Sequence, residues 1–238
     1  MKINLISLII VFFLFCNKSY CQKIMNLDQL IGLNNDNLIG DSIKLESETY
    51  YAFKKMQIAA KKDGINLKII SAYRDYERQK LIWNNKYKKF TEEYSLNPNE
   101  AILEIIRFST IPGTSRHHWG TDIDIIDGNY PDENDVLISK KFEKNGIFFK
   151  IKSWMDENSE KFGFYLTYNN DINRNGFDYE PWHYSYRPTS IKDYNAFINN
   201  DIEKIIKNPD LKGHEFFSKS FIDKYITENI MDINPDLK

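Results

Sequence analysis

The chain has 238 residues, of which 42% are hydrophobic and 28% charged, and its formal net charge is −2. This length suits one sizeable domain, and the 15% of aromatic residues provide ample material for a core. The weak charge, without a clustered basic face, argues against nucleic-acid binding, so we expect a soluble globular domain with no nucleic-acid partner.

An apolar run near the N-terminus has the pattern of a secretory signal. Lys2 precedes the run at residues 5–15, and polar residues follow it. The run is too short to span a bilayer comfortably, and its flanks fit a cleaved signal peptide. We therefore predict a signal peptide over residues 1–21, export to the periplasm or the medium, and no stable membrane association after cleavage. The alternatives are an uncleaved membrane anchor and a lipoprotein acylated at Cys16 or Cys21.

Helices dominate the first half of the mature chain. Apolar residues at helical spacing predict a helix over residues 46–62, which ends at Asp63. A β-rich stretch follows at residues 67–73, and a helix capped by Asp75 begins after it. Pro98 starts a further predicted helix that runs to residue 108.

The second half of the mature chain mixes short strands with helices. A strand is predicted from Gly120 to Ile126, in which isoleucines and aspartates alternate between the two faces. Further predicted elements are a helix over 147–161, a strand over 164–167, an extended segment over 181–186, a helix over 190–206 and an outer amphipathic segment over 216–230. Without βαβ alternation, this order indicates an α+β domain with a small, mostly antiparallel sheet flanked by helices.

Three of the four histidines lie in two polar clusters. His117 is followed seven residues later by Asp124, and His183 would lie beside Asp124 if its segment were an antiparallel neighbour of that strand. Catalytic zinc takes three protein ligands and leaves one position open. We therefore predict a zinc site made of these three residues. His118 adjoins the first ligand but points away from it on an extended chain, so we expect it to pack or to contact a ligand.

Glu180 precedes His183 by three residues, with Pro181 between them. In a regular strand the two side chains would face opposite ways, so the pattern requires a turn or bulge before Trp182. With such a turn, Glu180 could act as a general base and then as a proton donor.

The motif Ser115-x-His117-x-x-Gly120-x-x-x-Asp124, followed by Glu180-x-Trp182-His183, resembles the paired zinc signature of the VanY-type D-alanyl-D-alanine carboxypeptidases. Ser71-Ala72-Tyr73-Arg74-x-x-x-x-Gln79 resembles the upstream segment of that family. The resemblance covers about residues 45–187 and implies the fold shared with lysostaphin-like endopeptidases and hedgehog domains.

The resemblance implies a zinc-dependent peptidase that acts on peptidoglycan stem peptides. In that family arrangement His117, Asp124 and His183 bind Zn²⁺ and Glu180 is the catalytic acid and base. Arg74 would polarise the scissile carbonyl, a role that suits its fixed fork of donors. The residues expected to contact the substrate are Ser115, Gln79, Tyr73 and Trp182.

Position 122 departs from the family pattern, in which a small residue is common. Asp122 could compete as a ligand, accept a hydrogen bond from a histidine behind the metal, or be solvated. Asp124 is in register with the motif and is the predicted ligand.

The leading functional prediction is a D-alanyl-D-alanine carboxypeptidase. L,D-carboxypeptidases and L-alanyl-D-glutamate endopeptidases share the signature and differ in the loops around the cleft, here residues 84–114 and 127–150. A non-catalytic zinc-containing wall-binding module is the alternative from another class, and the presence of both Glu180 and Arg74 argues against it. The predicted organisation is a signal peptide over 1–21, a monomeric zinc peptidase domain over 22–206 with its core at about 45–187, and a C-terminal helical extension over 207–238.

Overall fold

A computed structural model describes residues 25–238 of the chain. The predicted signal peptide lies outside these residues. Within them, no helix is both long enough and apolar enough to cross a bilayer. The helices are α1 (Leu27–Leu30), α2 (Ser47–Lys62), α3 (Tyr76–Lys88), α4 (Pro98–Ile105), α5 (Phe149–Asn158), α6 (Arg187–Ile198), α7 (Ile202–Ile206) and α8 (Lys219–Tyr225).

The strands form two antiparallel sheets. They are β1 (Leu38–Ile39), β2 (Leu45–Glu46), β3 (Leu67–Ser71), β4 (Asp122–Asp127), β5 (Phe164–Leu166) and β6 (His183–Tyr186). The main sheet has the order β3-β4-β6-β5, and β1 pairs with β2 in a separate two-stranded sheet. This combination of helices with a small antiparallel sheet confirms the predicted α+β class.

Strand β4 separates a hydrophobic core from the polar site. Its residues are all buried. Ile123 and Ile125 belong to a core that includes Phe53 of α2 and Trp154 of α5. Because side chains alternate along a strand, Asp122 and Asp124 project from the opposite face, as the sequence predicts.

The predicted helix starts are confirmed by their caps. The Asp75 carboxylate accepts a hydrogen bond from the backbone N–H of Arg78 at the start of α3, with a length of 2.7 Å. Asn97 and Glu100 form a reciprocal capping box at the start of α4, whose first residue is Pro98. Both arrangements satisfy backbone donors that a helix start leaves without partners.

The helix predicted over residues 190–206 is wrong in its extent. The structure has two helices here, because the chain leaves the helical path at residues 199–201 and starts again at α7. Asp201 caps the second helix by accepting from the backbone N–H of Lys204 at 3.0 Å. Asparagine and aspartate side chains compete with helical hydrogen bonds, which explains the interruption.

The C-terminal segment is amphipathic, as predicted: Lys219, Asp223 and Lys224 of α8 are exposed, while the opposite face of this helix is buried. Ile222 and Tyr225 of α8 belong to a second hydrophobic core, together with Trp83 of α3 and Phe197 of α6. The Tyr225 hydroxyl accepts a 2.9 Å hydrogen bond from the backbone N–H of Ile111, in the loop that leads to the site. Residues beyond 207 therefore help to fix that loop.

Asp193 of α6 is a buried carboxyl group, and its Oδ2 atom has no hydrogen-bond partner among residues 25–238. Burial raises the pKa of Asp193 from 3.8 to about 7, and Arg116 offsets only part of this effect. Because the pKa is higher in the folded state than in the unfolded state, the folded protein binds more protons between these two values. The contribution of Asp193 to the free energy of unfolding therefore falls as the pH rises from about 4 to about 7.

We expect Asp193→Asn to remove this pH dependence and to raise the free energy of unfolding at pH 8, by up to about 4 kcal/mol. Urea denaturation of both proteins at pH values from 4 to 8 measures the effect. Parallel pH profiles for the variant and the wild type would contradict the assignment to Asp193.

Candidate active site

A cavity of about 360 Å³ lies against strand β4. Its walls come from α3, from the loop between α4 and β4, and from the turn before β6. The polar residues that line it include Arg74, Lys86, Ser115, His117, Asp124, Glu180 and His183.

His117, Asp124 and His183 meet at one side of this cavity. Asp124 of β4 is paired with His183 of β6 in the sheet register, as the sequence analysis expected for antiparallel neighbours. His117 lies in a 3-10 turn, Arg116–Trp119, that precedes β4. One potential ligand atom from each of the three residues lies within 4.8 Å of the others, so the cluster can hold a metal ion.

Gly120 ends the turn that carries His117. Its φ of 72° is in the left-handed region, which favours glycine. A Cβ atom at this position would also lie 2.6 Å from Cδ2 of Leu38. Glycine is therefore needed here for the chain to turn from His117 into β4.

The His117 ring is oriented by the backbone. Its Nδ1 atom lies 2.8 Å from the carbonyl oxygen of Ala72, which can only accept, so Nδ1 donates and Nε2 faces Asp124 at 3.4 Å. Among residues 25–238, neither His117 Nε2 nor Asp124 Oδ1 has a hydrogen-bond partner, although both atoms are buried. Buried polar atoms without partners require an explanation, and a metal ion bound between them would provide one.

The charge states of His117 and Asp124 favour the binding of a metal cation. Burial lowers the pKa of His117, and the nearby Arg74 lowers it further, so the imidazole is neutral and can act as a ligand. Burial alone would raise the pKa of Asp124, but His117, His183 and Arg74 together outweigh this effect and lower the pKa to about 2. Asp124 is therefore an ionised carboxylate at neutral pH.

His183 contacts carboxylates on both sides of its ring. Its Nδ1 atom lies 2.9 Å from Oε2 of Glu180 and 3.6 Å from Oδ1 of Asp124. Its Nε2 atom lies 2.8 Å from Oδ2 of Asp122. Burial would lower the pKa of His183, but the bonds to Asp122 and Glu180 raise it to about 10. At neutral pH both ring nitrogens therefore carry a proton. Nδ1 faces the cluster, so a bound metal ion would displace its proton, while Asp122 accepts from the opposite nitrogen.

Asp122 lies behind His183 in a buried polar network. Its Oδ2 atom also accepts from Nε of Arg116 at 2.9 Å, and its Oδ1 atom accepts from the hydroxyl of Ser185 at 2.6 Å. The Ser185 hydroxyl in turn accepts from Nη2 of Arg116 at 2.6 Å. Burial would raise the pKa of Asp122, but Arg116 and His183 hold it below its usual range. Of the three alternatives for Asp122, this geometry fits a hydrogen-bond acceptor behind the cluster.

Glu180 reaches the cluster through the turn that the sequence required. Pro181 and Trp182 occupy the turn, and the backbone N–H of His183 donates to the carbonyl of Glu180 at 3.1 Å. The Glu180 side chain is buried. Burial raises the pKa of Glu180, while the hydrogen bond with His183 acts in the opposite direction. A carboxyl group with a raised pKa suits proton transfer near neutral pH.

Arg74 is held in place by its neighbours. Its backbone N–H donates to the carbonyl of His117 at 3.1 Å, and its Nη1 atom donates to Oε1 of Gln79 at 3.0 Å. Its backbone carbonyl accepts from Nδ1 of His118 at 2.6 Å, and His118 Nε2 accepts from the backbone N–H of Gly113 at 3.2 Å. Burial lowers the pKa of His118 to about 3, so this histidine is a neutral support for Arg74.

Gln79, which was predicted to contact the substrate, does not line the cavity. Gln79 is completely buried, and its Nε2 atom donates to the carbonyl of Thr110 at 2.9 Å while its Oε1 atom accepts from Arg74. Both ends of the amide are used within the fold, so Gln79 positions Arg74. Ser115 and Trp182 line the cavity, and their contact with substrate stays a prediction, whereas Tyr73 lies outside the lining.

Arg116, Ser185 and Lys86 are parts of the site that the sequence motifs did not predict. Arg116 is at a variable position of the histidine motif, and an arginine so close to the extra Asp122 was the available signal. Ser185 follows His183 by two residues and therefore faces the same side of β6. No feature of the sequence indicates that Lys86 belongs to the site, because a lysine near the end of a helix is ordinarily solvated.

The chain is similar to known proteins over more than half of its length. A sequence model of the family described as VanY, D-alanyl-D-alanine carboxypeptidase, matches residues 42–189. YodJ of Bacillus subtilis, which bears the name of a carboxypeptidase, is 31% identical over 180 residues, which cover 74% of this chain and 54% of YodJ. The chain spans about half the length of the curated relatives it matches.

Several solved structures share the fold, and two of them bear the names of a D,D-pentapeptidase and an LD-carboxypeptidase. A vancomycin-resistance D,D-pentapeptidase VanY in complex with Zn(II) is 23% identical, with a TM-score of 0.51, and the match covers 76% of this chain and 89% of that one. The LD-carboxypeptidase LdcB is 26% identical, with a TM-score of 0.50, and the match covers 77% and 78% of the two chains.

Proposed function

This chain belongs to the VanY family of D-alanyl-D-alanine carboxypeptidases, and on that premise we propose that it is an exported zinc peptidase that removes the terminal D-alanine from peptidoglycan stem peptides. The resemblance that the sequence motifs indicated is confirmed by the family match over residues 42–189. The apolar run at residues 5–15 supports export.

The observation that carries the proposal is the convergence of a metal-binding triad, a buried glutamate and an arginine in one cavity. His117 Nε2, a carboxylate oxygen of Asp124 and His183 Nδ1 would hold Zn²⁺, a donor set that suits a catalytic site with an open position. A bound Zn²⁺ would polarise the scissile carbonyl and lower the pKa of the attacking water.

The remaining chemistry belongs to the side chains of the chain itself. Glu180 would take a proton from the attacking water and pass it to the amine of the leaving D-alanine, so that one peptide bond is replaced by a carboxylate and an amine. Arg74 would donate to the carbonyl oxygen as negative charge develops on it. Because Gln79 and His118 hold Arg74 in place, little reorientation of its guanidinium would be needed during the reaction.

The D,D-specificity is supported by the family description and by the relatives with that name. An LD-carboxypeptidase has the same fold, so the test must distinguish L,D-specificity from D,D-specificity. The two activities act on different stem peptides, since a D,D-enzyme shortens pentapeptides and an L,D-enzyme shortens tetrapeptides.

Purified peptidoglycan fragments, digested with the zinc-loaded protein and analysed by mass spectrometry, test the proposal. We expect pentapeptides to lose one D-alanine and a chelator to abolish the loss, with activity restored by added Zn²⁺. Loss of D-alanine from tetrapeptides alone would replace the D,D-assignment with an L,D-assignment. No cleaved bond in any fragment would overturn the proposed enzyme and favour a wall-binding module.

A further inference from the structure

Lys86 is a half-buried cation in the wall of the catalytic cavity. It extends from the last turn of α3, and it lines the cavity together with Arg74 and Glu180. Its ammonium group donates to the hydroxyl of Ser109 at 2.6 Å. In the described part of the chain Lys86 forms no salt bridge, and Ser109 is its hydrogen-bond partner.

This arrangement leaves the charge of Lys86 without a dedicated counter-ion. Burial lowers the pKa of Lys86, and the nearby charges of Glu180 and Arg74 act in opposite directions. An ammonium group has three donors, and a neutral hydroxyl satisfies one of them. A buried charge is costly unless it is paired, so an anion that enters the cavity would be stabilised at this position.

Arg74 is the other cation identified above in the wall of this cavity, and its Nε atom is buried without a hydrogen-bond partner among residues 25–238. Asp124 and Glu180 both lie close enough to favour its charged form, and its Nη1 atom already donates to Gln79. The positive charge of Arg74 is therefore shared with two carboxylates of the site, whereas Glu180 is the one carboxylate that favours the charge of Lys86.

We propose that Lys86 binds the C-terminal carboxylate of the stem peptide and thereby restricts cleavage to the last peptide bond. This inference rests on the proposed peptidase function. Ile82 and Phe108 line the same cavity and offer apolar surface for the methyl group of a terminal D-alanine. Lys86 and Ser109 both lie in the segment 84–114 that the sequence analysis expected to shape the cleft, outside the zinc motifs.

The test compares an acetylated L-lysyl-D-alanyl-D-alanine peptide with the same peptide carrying a C-terminal amide. For the free acid, Lys86→Met is expected to raise KM by about tenfold or more with little change in kcat, because a charge-assisted contact of the bound substrate is lost. Wild-type protein is expected to cleave the amide with a similarly raised KM, and Lys86→Met should add no further increase for the amide. Lys86→Arg should restore a large part of the preference for the acid.

Lys88→Met is the matched control, because it removes a lysine from the same helix at an exposed position. Its KM for the acid should equal that of the wild type. The inference is overturned if Lys86→Met leaves the KM for the acid within twofold of the wild type, or if it raises KM equally for acid and amide. A wild-type protein that cleaves neither peptide nor purified wall fragments would instead refute the proposed function.

Discussion

Replacement of Glu180 by glutamine is expected to lower kcat for stem-peptide hydrolysis by about 10²–10⁴-fold while the protein still binds zinc. Glutamine has nearly the same shape as glutamate but cannot accept a proton from water and return it to the leaving amine. Glu180 is buried beside His183, and its raised pKa places its proton affinity nearer to neutral pH than that of an exposed carboxylate.

The measurement combines steady-state kinetics on a D-alanyl-D-alanine peptide with the zinc content of the purified protein. Glu157→Gln makes the same substitution at an exposed position of α5 and should leave kcat unchanged. If Glu180→Gln retained wild-type kcat with a full complement of zinc, Glu180 could not be the proton carrier. If it lost its zinc, the loss of activity would be due to the metal site, and Glu180 would have to be regarded as a part of that site.

The elements that position the metal cluster could be predicted because each has a strong local signal. Alternating isoleucines and aspartates predict which face of β4 carries Asp122 and Asp124, since side chains alternate strictly along a strand. Pro181 argues against a helix, and Glu180 and His183 would face opposite ways in a regular strand, so a turn or bulge is predicted if Glu180 is to reach the cluster. Both signals depend on neighbours in sequence, and the structure agrees with both.

The features that the sequence did not reveal depend on contacts between distant segments. Gln79 was expected in the cleft, but its side chain is buried and donates a hydrogen bond to the carbonyl of Thr110, which lies 31 residues away in the sequence. The C-terminal segment is amphipathic, and amphipathicity alone does not identify the surface against which a helix packs. The bond from Ile111 to Tyr225 crosses 114 residues and makes that segment part of the core.

For Asp122, the alternation along β4 predicts the face of the strand on which its side chain lies, but it does not predict the hydrogen-bond partners, which come from distant segments. We expect Asp122→Asn to weaken zinc binding by about 10–100-fold, because a carboxylate that accepts from a ligand histidine fixes the ring and increases its basicity. The amide retains the size of Asp122 and can accept one hydrogen bond, but it removes the negative charge that faces both His183 and Arg116.

Competition with a chelator of known affinity measures the zinc Kd, and thermal unfolding of the zinc-stripped proteins measures their stability separately. Removal of one partner from a buried ion pair is destabilising, so the stripped Asp122→Asn protein should also have a lower Tm. Ser185→Ala is the matched control, because it removes a bond to Asp122 and Arg116 without touching His183. Its zinc Kd should stay within about threefold of the wild type, since the acceptor for His183 remains in place. Equal weakening in both variants would attribute the effect to disruption of the buried network as a whole, and wild-type zinc affinity in Asp122→Asn would exclude a role for this carboxylate in orienting His183.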